Sequence, residues 1–158
     1  MIRALFYVLM VQSQLLWSNN EADDWDLDTV KTRLHTYEVS LWAAGFEEIP
    51  WGMAFLPNQE MLVTDISGIL YKVSSNGKQK IVIKGVPEIF RKGQGGLLDV
   101  EIHPNFSKNS WIYLAYSDPF AGRKGFTSVA RAKLIKNKLV DFEVIYRVNK
   151  IHATGKPY

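Results

Sequence analysis

Short apolar runs separated by turn residues fill the chain from Thr36 onward. Thr36–Trp42 alternates apolar and polar residues, as a strand with one buried face does. Turn residues at Pro57-Asn58, Ser67-Gly68 and Asn76-Gly77 separate the runs that follow, and Asn-Gly is a strong hairpin signal. An antiparallel meander is therefore predicted, with strands at Trp51–Leu56, Glu60–Asp65, Ile69–Val73 and Lys80–Ile83.

The same order of strands and turns recurs about 50 residues later, a period typical of propeller blades with four strands each. Pro104-Asn105 repeats the turn at Pro57-Asn58. The strands predicted for this second unit are Leu97–Ile102, Trp111–Tyr116, Thr127–Ile135 and Phe142–Val148. The predicted fold class is all-β, with about two four-stranded blades of a β-propeller preceded by an apolar and acidic N-terminal segment.

Two blades do not close a ring, since propellers typically contain four to eight. Both outer blade faces would stay bare, and large bare apolar faces indicate partners or aggregation. We therefore expect the chain to be an incomplete part of a propeller. The alternative is self-assembly, in which three copies would supply six blades.

The first residues have the outline of a secretory signal peptide, with Arg3 followed by the apolar run Ala4–Val11. This run is too short to span a bilayer. We expect 1–20 to be a signal peptide and the protein to be secreted or periplasmic; the alternatives are a buried N-terminal segment and a misplaced start codon. An acidic linker is expected at 21–35, with one short helical turn through Leu27, Val30, Lys31 and Leu34, and the incomplete propeller domain at 36–158.

Composition excludes several kinds of site. The chain has no cysteine, which excludes a disulfide scaffold, a thiol nucleophile and a cysteine-based zinc site. The net charge of +3 gives little reason to expect a nucleic-acid partner. Arg131 and Lys133 alternate with Ala130, Ala132 and Leu134, a pattern that predicts the solvated face of a strand.

Several motifs occur in the order and spacing of the glucose/sorbosone dehydrogenase family, and together they carry a resemblance from about Val39 to Tyr146. They are Ile49–Pro57, Met61–Asp65, Gly85–Glu88, Gly93–Val100, His103–Phe106, Ile112–Ser117 and Val129–Arg131. The Leu97–Val100 variant is similar to the soluble aldose sugar dehydrogenase branch.

The resemblance implies a six-bladed propeller that holds pyrroloquinoline quinone (PQQ) and calcium and oxidises an aldose at C1 by hydride transfer to the quinone. The expected partners are a sugar substrate and the remaining blades. The family's catalytic histidine and cofactor ligands correspond to positions after Tyr158. No catalytic, cofactor-binding or metal-binding residue is therefore assigned, and this chain alone is expected to be inactive.

Gln94 is the one site residue that the resemblance assigns: it matches a family glutamine that binds the sugar. An amide offers donors and an acceptor without a buried charge. The alternative is a loop glutamine that orders its own turn. Gly93, Gly95 and Gly96 flank it, and such glycines allow tight turns and close approach.

Other polar candidates receive structural interpretations. His103 is expected to cap a turn at the rim opposite Gln94, and His35 to face solvent. His152 lies nearest the expected base but lacks the family's following Phe-Gly. Asp65 and Asp99 form a conceivable acid pair, although a structural role across a blade is favoured for Asp99.

Trp51 and Trp111 are expected to pack between blades rather than to stack on a sugar. The alternative to an enzyme is a non-catalytic propeller that serves as a binding or interaction module. Cofactor ligands in further blades would favour the enzyme, and their absence would favour the binding module.

Overall fold

The computed structural model describes residues 29–120 and 124–148, which form strands and one short helix, α1 (Phe106–Asn109). The predicted signal peptide, most of the acidic linker and His152 lie outside the described residues. The chain divides into two compact units, Met1–Ala44 and Gly45–Tyr158. In the part that is described, no helix is long and apolar enough to cross a membrane.

The first unit contains a small antiparallel hairpin of β1 (Thr29–Lys31) and β2 (Thr36–Glu38). The predicted helical turn is wrong here: Val30 pairs with Tyr37 as a strand residue. The turn between the strands explains the difference, because the Thr32 side chain accepts a hydrogen bond from the His35 amide at 3.0 Å. The strand predicted at Thr36–Trp42 ends at Glu38, and His35 is exposed as expected.

The second unit contains two four-stranded antiparallel sheets, which confirm the predicted fold class. The first blade comprises β3 (Pro50–Phe55), β4 (Met61–Asp65), β5 (Leu70–Val73) and β6 (Lys80–Val82), in that spatial order. The second blade comprises β7 (Leu97–Ile102), β8 (Trp111–Phe120), β9 (Lys124–Ile135) and β10 (Lys138–Arg147). The helix α1 lies in the connection between β7 and β8.

The β8–β9 hairpin extends beyond the predicted strand ends. The ladder continues through Ser117↔Thr127 and Asp118↔Phe126 as far as Phe120↔Lys124. Asp118-Pro119 resembles a turn in sequence, but continued pairing with β9 keeps Pro119 in the strand, opposite Gly125. The second blade therefore projects a hairpin past the end of its neighbouring strands.

The two blades bury one face of each sheet against the other. Their shared core includes Leu62 and Leu70 from the first blade and Leu97, Ile112 and Leu114 from the second, none more than 1% exposed. Burial of this apolar area supplies the main favourable free energy of packing, roughly 25 cal/mol per Å².

The outer strands are also joined. The Lys84 amide donates to the Asn137 carbonyl at 2.9 Å, and the Leu139 amide donates to the Lys84 carbonyl at 2.8 Å. The segment that leaves the first blade is therefore hydrogen-bonded to the β9–β10 turn of the second.

Gly52 in β3 permits the closest approach between the inner strands. A Cβ atom at Gly52 would lie 2.5 Å from Asp99 Oδ1 and 3.0 Å from the Leu98 carbonyl oxygen. Beside it, the hydroxyl of buried Thr64 donates to that same carbonyl at 3.1 Å. Asp99 accepts a hydrogen bond from the Val100 amide, its own neighbour, rather than from the facing blade.

The substitution Gly52→Ala is expected to destabilise the chain by at least about 1–3 kcal/mol, the usual range for overpacking. The added methyl group would meet backbone and carboxylate of the second blade. Urea denaturation measures the effect.

Gly93→Ala is the matched control, because a Cβ there would meet nothing within 4 Å and the substitution costs only the strain of its positive φ. Equal unfolding midpoints for Gly52→Ala and the native chain would contradict the close contact between β3 and β7.

Candidate functional site

Gln94 lies at the tip of a tight turn that leads into β7, the inner strand of the second blade. The Gly95 amide donates to the Lys92 carbonyl at 2.8 Å and closes the turn. Gly93 has φ +56°, a conformation that L side chains rarely adopt. The side chain of Gln94 is exposed. The turn therefore presents an uncharged amide to solvent at the end of the inner strand.

Arg91 clamps this turn. One of its terminal nitrogens donates to the Gly93 carbonyl at 2.6 Å and to the Gly95 carbonyl at 3.3 Å. Its Nε and other terminal nitrogen contact Glu48 Oε2 at 2.9 Å and 2.6 Å. One planar guanidinium thus holds the carbonyls on both sides of Gln94. The same guanidinium pairs with the carboxylate of Glu48, which lies just before the first strand of the first blade.

Buried Asp65 holds the segment that carries Glu48. Asp65 is 0% exposed at the end of β4, and its two carboxylate oxygens accept the amides of Ser67 and Glu48, each at 2.9 Å. The Ile66 amide also donates to the Ile49 carbonyl at 2.9 Å. Both oxygens of Asp65 therefore serve backbone donors, which is a structural role rather than that of one member of an acid pair.

The base of the glycine-rich turn is fixed between the blades. The Gly96 amide donates to the hydroxyl of buried Ser117 at 3.2 Å, and the Ser117 amide donates to the Gly96 carbonyl at 2.9 Å. A Cβ at Gly96 would lie 2.1 Å from the Ile66 carbonyl oxygen. Only glycine permits this approach of β7 to the first blade.

The other predicted residues lie away from the turn. His103 caps its own turn as predicted, with its Nδ1 accepting the Asn105 amide at 2.9 Å, and it follows the opposite end of β7. Trp51 is 43% exposed. The Trp111 ring lies beneath the Arg131 guanidinium of its own blade, 4.8 Å away, and neither tryptophan belongs to the core between the two blades.

Arg131 and Lys133 line a charged face, as the alternating pattern predicted. Arg131 pairs with Glu143 at 2.7 Å and Lys133 with Asp141 at 2.8 Å, and all four side chains are more than a third exposed. Exposed pairs of this kind add little to stability.

A second polar group lies at the projecting end of β8. Asp118 Oδ2 accepts hydrogen bonds from the Ser128 hydroxyl at 3.0 Å and from Arg147 Nε at 2.8 Å. Burial raises the pKa of Tyr116, the Asp118 charge raises it further, and Arg147 opposes both. Sequence reasoning missed this group because the strands that carry Asp118 and Arg147 do not pair with each other.

Within residues 29–120 and 124–148, no cluster of three His, Cys, Asp or Glu side chains is arranged to hold a metal ion. Calcium sites in proteins usually include several carboxylate ligands, and the described residues bring no such set together. The described residues do not fit a carboxylate-rich calcium site, and no chemical step is assigned through calcium or a quinone here.

The two four-stranded sheets are two blades of a β-propeller. The sequence matches the Glucose / Sorbosone dehydrogenase family over residues 47–158, and the chain belongs to that family.

Two curated relatives match with similar strength. One is an uncharacterized protein of Synechocystis sp., 36% identical over 119 residues, which span 70% of this chain and 29% of the relative. The other is an aldose sugar dehydrogenase of Escherichia coli, 35% identical over 112 residues, 69% of this chain and 30% of the relative. The chain thus spans about 30% of the length of the curated relatives it matches.

Solved structures agree with this fold. The soluble aldose sugar dehydrogenase from Escherichia coli in its apo form matches with a TM-score of 0.58 and 38% identity, over 62% of this chain and 29% of that one. The PQQ-bound aldose sugar dehydrogenase from Streptomyces coelicolor matches with a TM-score of 0.60 and 20% identity, over 78% of this chain and 34% of that one. At 20% identity, the match to the Streptomyces coelicolor structure supports the fold alone.

Because Arg91 binds the Gly93 and Gly95 carbonyls, we expect Arg91→Ala to loosen the Gln94 turn while the blades stay folded. Loss of the guanidinium removes the donors to the Gly93 and Gly95 carbonyls, so we expect the Gly95 amide to exchange with solvent about tenfold faster. The Gly77 amide, which closes the unrelated β5–β6 turn at 2.9 Å, is the internal control and should not change. Unchanged exchange at Gly95 would contradict the clamp.

The raised pKa of Tyr116 predicts that the free energy of unfolding depends on pH. Its raised folded-state pKa contributes stability that is complete below the unfolded value of 10.0 and is lost as the pH rises through the folded value. In Tyr116→Phe, the free energy of unfolding should therefore fall less between about pH 9 and pH 11 than in the native chain. Urea titrations across that range measure it, and parallel curves would contradict the assigned environment.

Proposed function

We propose that the protein containing this chain oxidises an aldose at C1 by hydride transfer to PQQ, with Gln94 binding the sugar. The observation that carries the proposal is the exposed amide of Gln94 on a turn clamped by Arg91, in a chain of the Glucose / Sorbosone dehydrogenase family. Supporting it, the Escherichia coli relative is named an aldose sugar dehydrogenase. The quinone supplies the oxidising chemistry when bound.

The part that this chain plays is recognition. The Gln94 amide can donate to one sugar hydroxyl oxygen and accept from another hydroxyl, which suits a neutral polyol. Because Arg91 already binds the carbonyls on either side of Gln94, the backbone of the turn is fixed before the sugar arrives, and less backbone entropy is lost on binding. As part of the same proposal, the protein acts outside the cytoplasm, for which the signal-like first residues are the motive.

The test uses the protein that contains this chain, loaded with PQQ and calcium, with dye reduction by glucose as the readout. Gln94→Ala should raise the KM for the sugar by about 3–10-fold, the loss of one neutral hydrogen bond, with a smaller effect on kcat. Gln79→Ala is the control, because Gln79 is an exposed glutamine in the β5–β6 turn, outside the candidate site.

An unchanged KM for Gln94→Ala would refute the role of Gln94. If the native protein, loaded with quinone and calcium, gives no sugar-dependent reduction, the non-catalytic binding propeller becomes the better description.

A further inference from the structure

A groove lies between the two blades at the end opposite the Gln94 turn. It contains about 600 Å³ of empty space, part of it open to solvent. Its lining includes Leu56, Glu60, Lys72, Phe106, Leu134 and Lys136. Since β7 begins after the Gln94 turn and ends before α1, the groove and the candidate site lie at opposite ends of the same inner strand.

Backbone hydrogen bonds fix the elements around this groove. The Leu56 amide donates to the Glu60 carbonyl at 2.8 Å and closes the turn between β3 and β4. The Leu134 amide donates to the Ser110 carbonyl at 2.9 Å, which holds the end of β9 beside the residue that follows α1. The groove is therefore a feature of the packed blades rather than of a single loop.

Five lysines surround the groove. Lys72 and Lys136 line it, and Lys108 lies in α1, whose first residues form one wall. Lys138 lies two residues after Lys136, and Lys84 pairs with it in a parallel β-bridge. All except Lys72 are exposed. These five residues are called the lysine rim below.

Most of the charge on the lysine rim is not neutralised by the blades. Lys72 pairs with Glu60 at 3.5 Å. In the part of the chain that the structure describes, no ion pair reaches the other four lysines of the rim. By contrast, Arg131 and Arg147 elsewhere on the second blade pair with carboxylates at 2.7 Å and 2.8 Å. Positive charge is therefore concentrated at this end of the blades.

This combination of charge and apolar lining suits an anionic membrane surface. Clustered lysines are attracted to the negative surface potential of a bilayer that contains anionic lipids. Between the lysines, Leu56, Phe106 and Leu134 give the groove an apolar lining. Every cation of the rim is a lysine, a flexible point charge, whereas protein–protein interfaces are depleted in lysine and enriched in arginine. A lipid surface is therefore favoured over an acidic protein.

We propose that the lysine rim docks the protein on an anionic membrane surface. The four exposed lysines bind lipid phosphates, and the groove receives the apolar part of a lipid. Because the Gln94 turn lies at the opposite end of β7, docking leaves the candidate site free. The inference does not depend on the proposed reaction, since docking is measured without turnover.

The test is cosedimentation of the protein that contains this chain with vesicles of phosphatidylcholine, either alone or with about 30% of the anionic lipid phosphatidylglycerol. Binding is expected to the anionic vesicles only, and to weaken at least about tenfold as the salt concentration rises from about 50 to about 500 mM. Lys136→Gln combined with Lys138→Gln should weaken binding about tenfold to thirtyfold through the loss of two lysines at the surface.

Lys108→Gln is a second variant, on a different element of the rim, and it should also weaken vesicle binding. Lys92→Gln is the matched control, because Lys92 is an exposed lysine in the Gln94 turn at the other end of β7, and vesicle binding should not change.

Equal binding to both kinds of vesicle, or equal weakening by Lys92→Gln and by the rim variants, would overturn the inference. Binding to polyglutamate without binding to anionic vesicles would overturn it in favour of an acidic protein partner. Salt-sensitive binding to anionic vesicles that only the rim variants weaken would support it, whether or not the protein oxidises a sugar.

Discussion

The close approach of the two inner strands is the constraint on which the rest of this structure depends. Gly52 permits β3 to lie against Asp99 and Leu98 of β7, and Gly96 permits the start of β7 to lie against the Ile66 carbonyl. A side chain at either position would separate the blades and open the apolar core behind them. The core supplies the free energy of packing, and these two glycines set the distance at which it is packed.

That spacing also positions the candidate site. The Gln94 turn ends where β7 begins, beside the contact with the first blade, and its two ends are held by different means. Ser117 holds Gly96 from within the second blade, while Arg91 reaches to Glu48 in the segment leading into the first. Since Glu48 is in turn fixed by buried Asp65, the geometry around Gln94 depends on both blades rather than on its own loop.

Local sequence patterns predicted much of this fold. Alternating apolar residues and the turns at Pro57, Asn76 and Pro104 located the eight strands of the two blades, because period-two burial and turn chemistry are local properties. The helical turn near Val30 was wrong because three apolar residues at helical spacing do not outweigh a hairpin closed by Thr32 and His35. The extension of β8 through Pro119 was missed since only pairing with β9 reveals it.

Of the candidate site, only the glycine-rich turn that carries Gln94 was predictable from the sequence. The glycines around Gln94 and the family resemblance indicated the turn, but the contact between Arg91 and Glu48 joins residues 43 apart in sequence. The pairing of Asp118 with Arg147 likewise depends on how far β8 and β10 run. Long-range contacts between polar side chains leave no periodic pattern, so they emerge only when the blades are placed together.

The proposed role of Gln94 is to bind the sugar, and a structure of the protein that contains this chain with an aldose bound tests this most directly. We predict a sugar hydroxyl within about 3 Å of the Gln94 amide, with the Arg91 guanidinium still on the carbonyls beside it. A sugar bound elsewhere, with the Gln94 amide in contact only with solvent, would contradict the account.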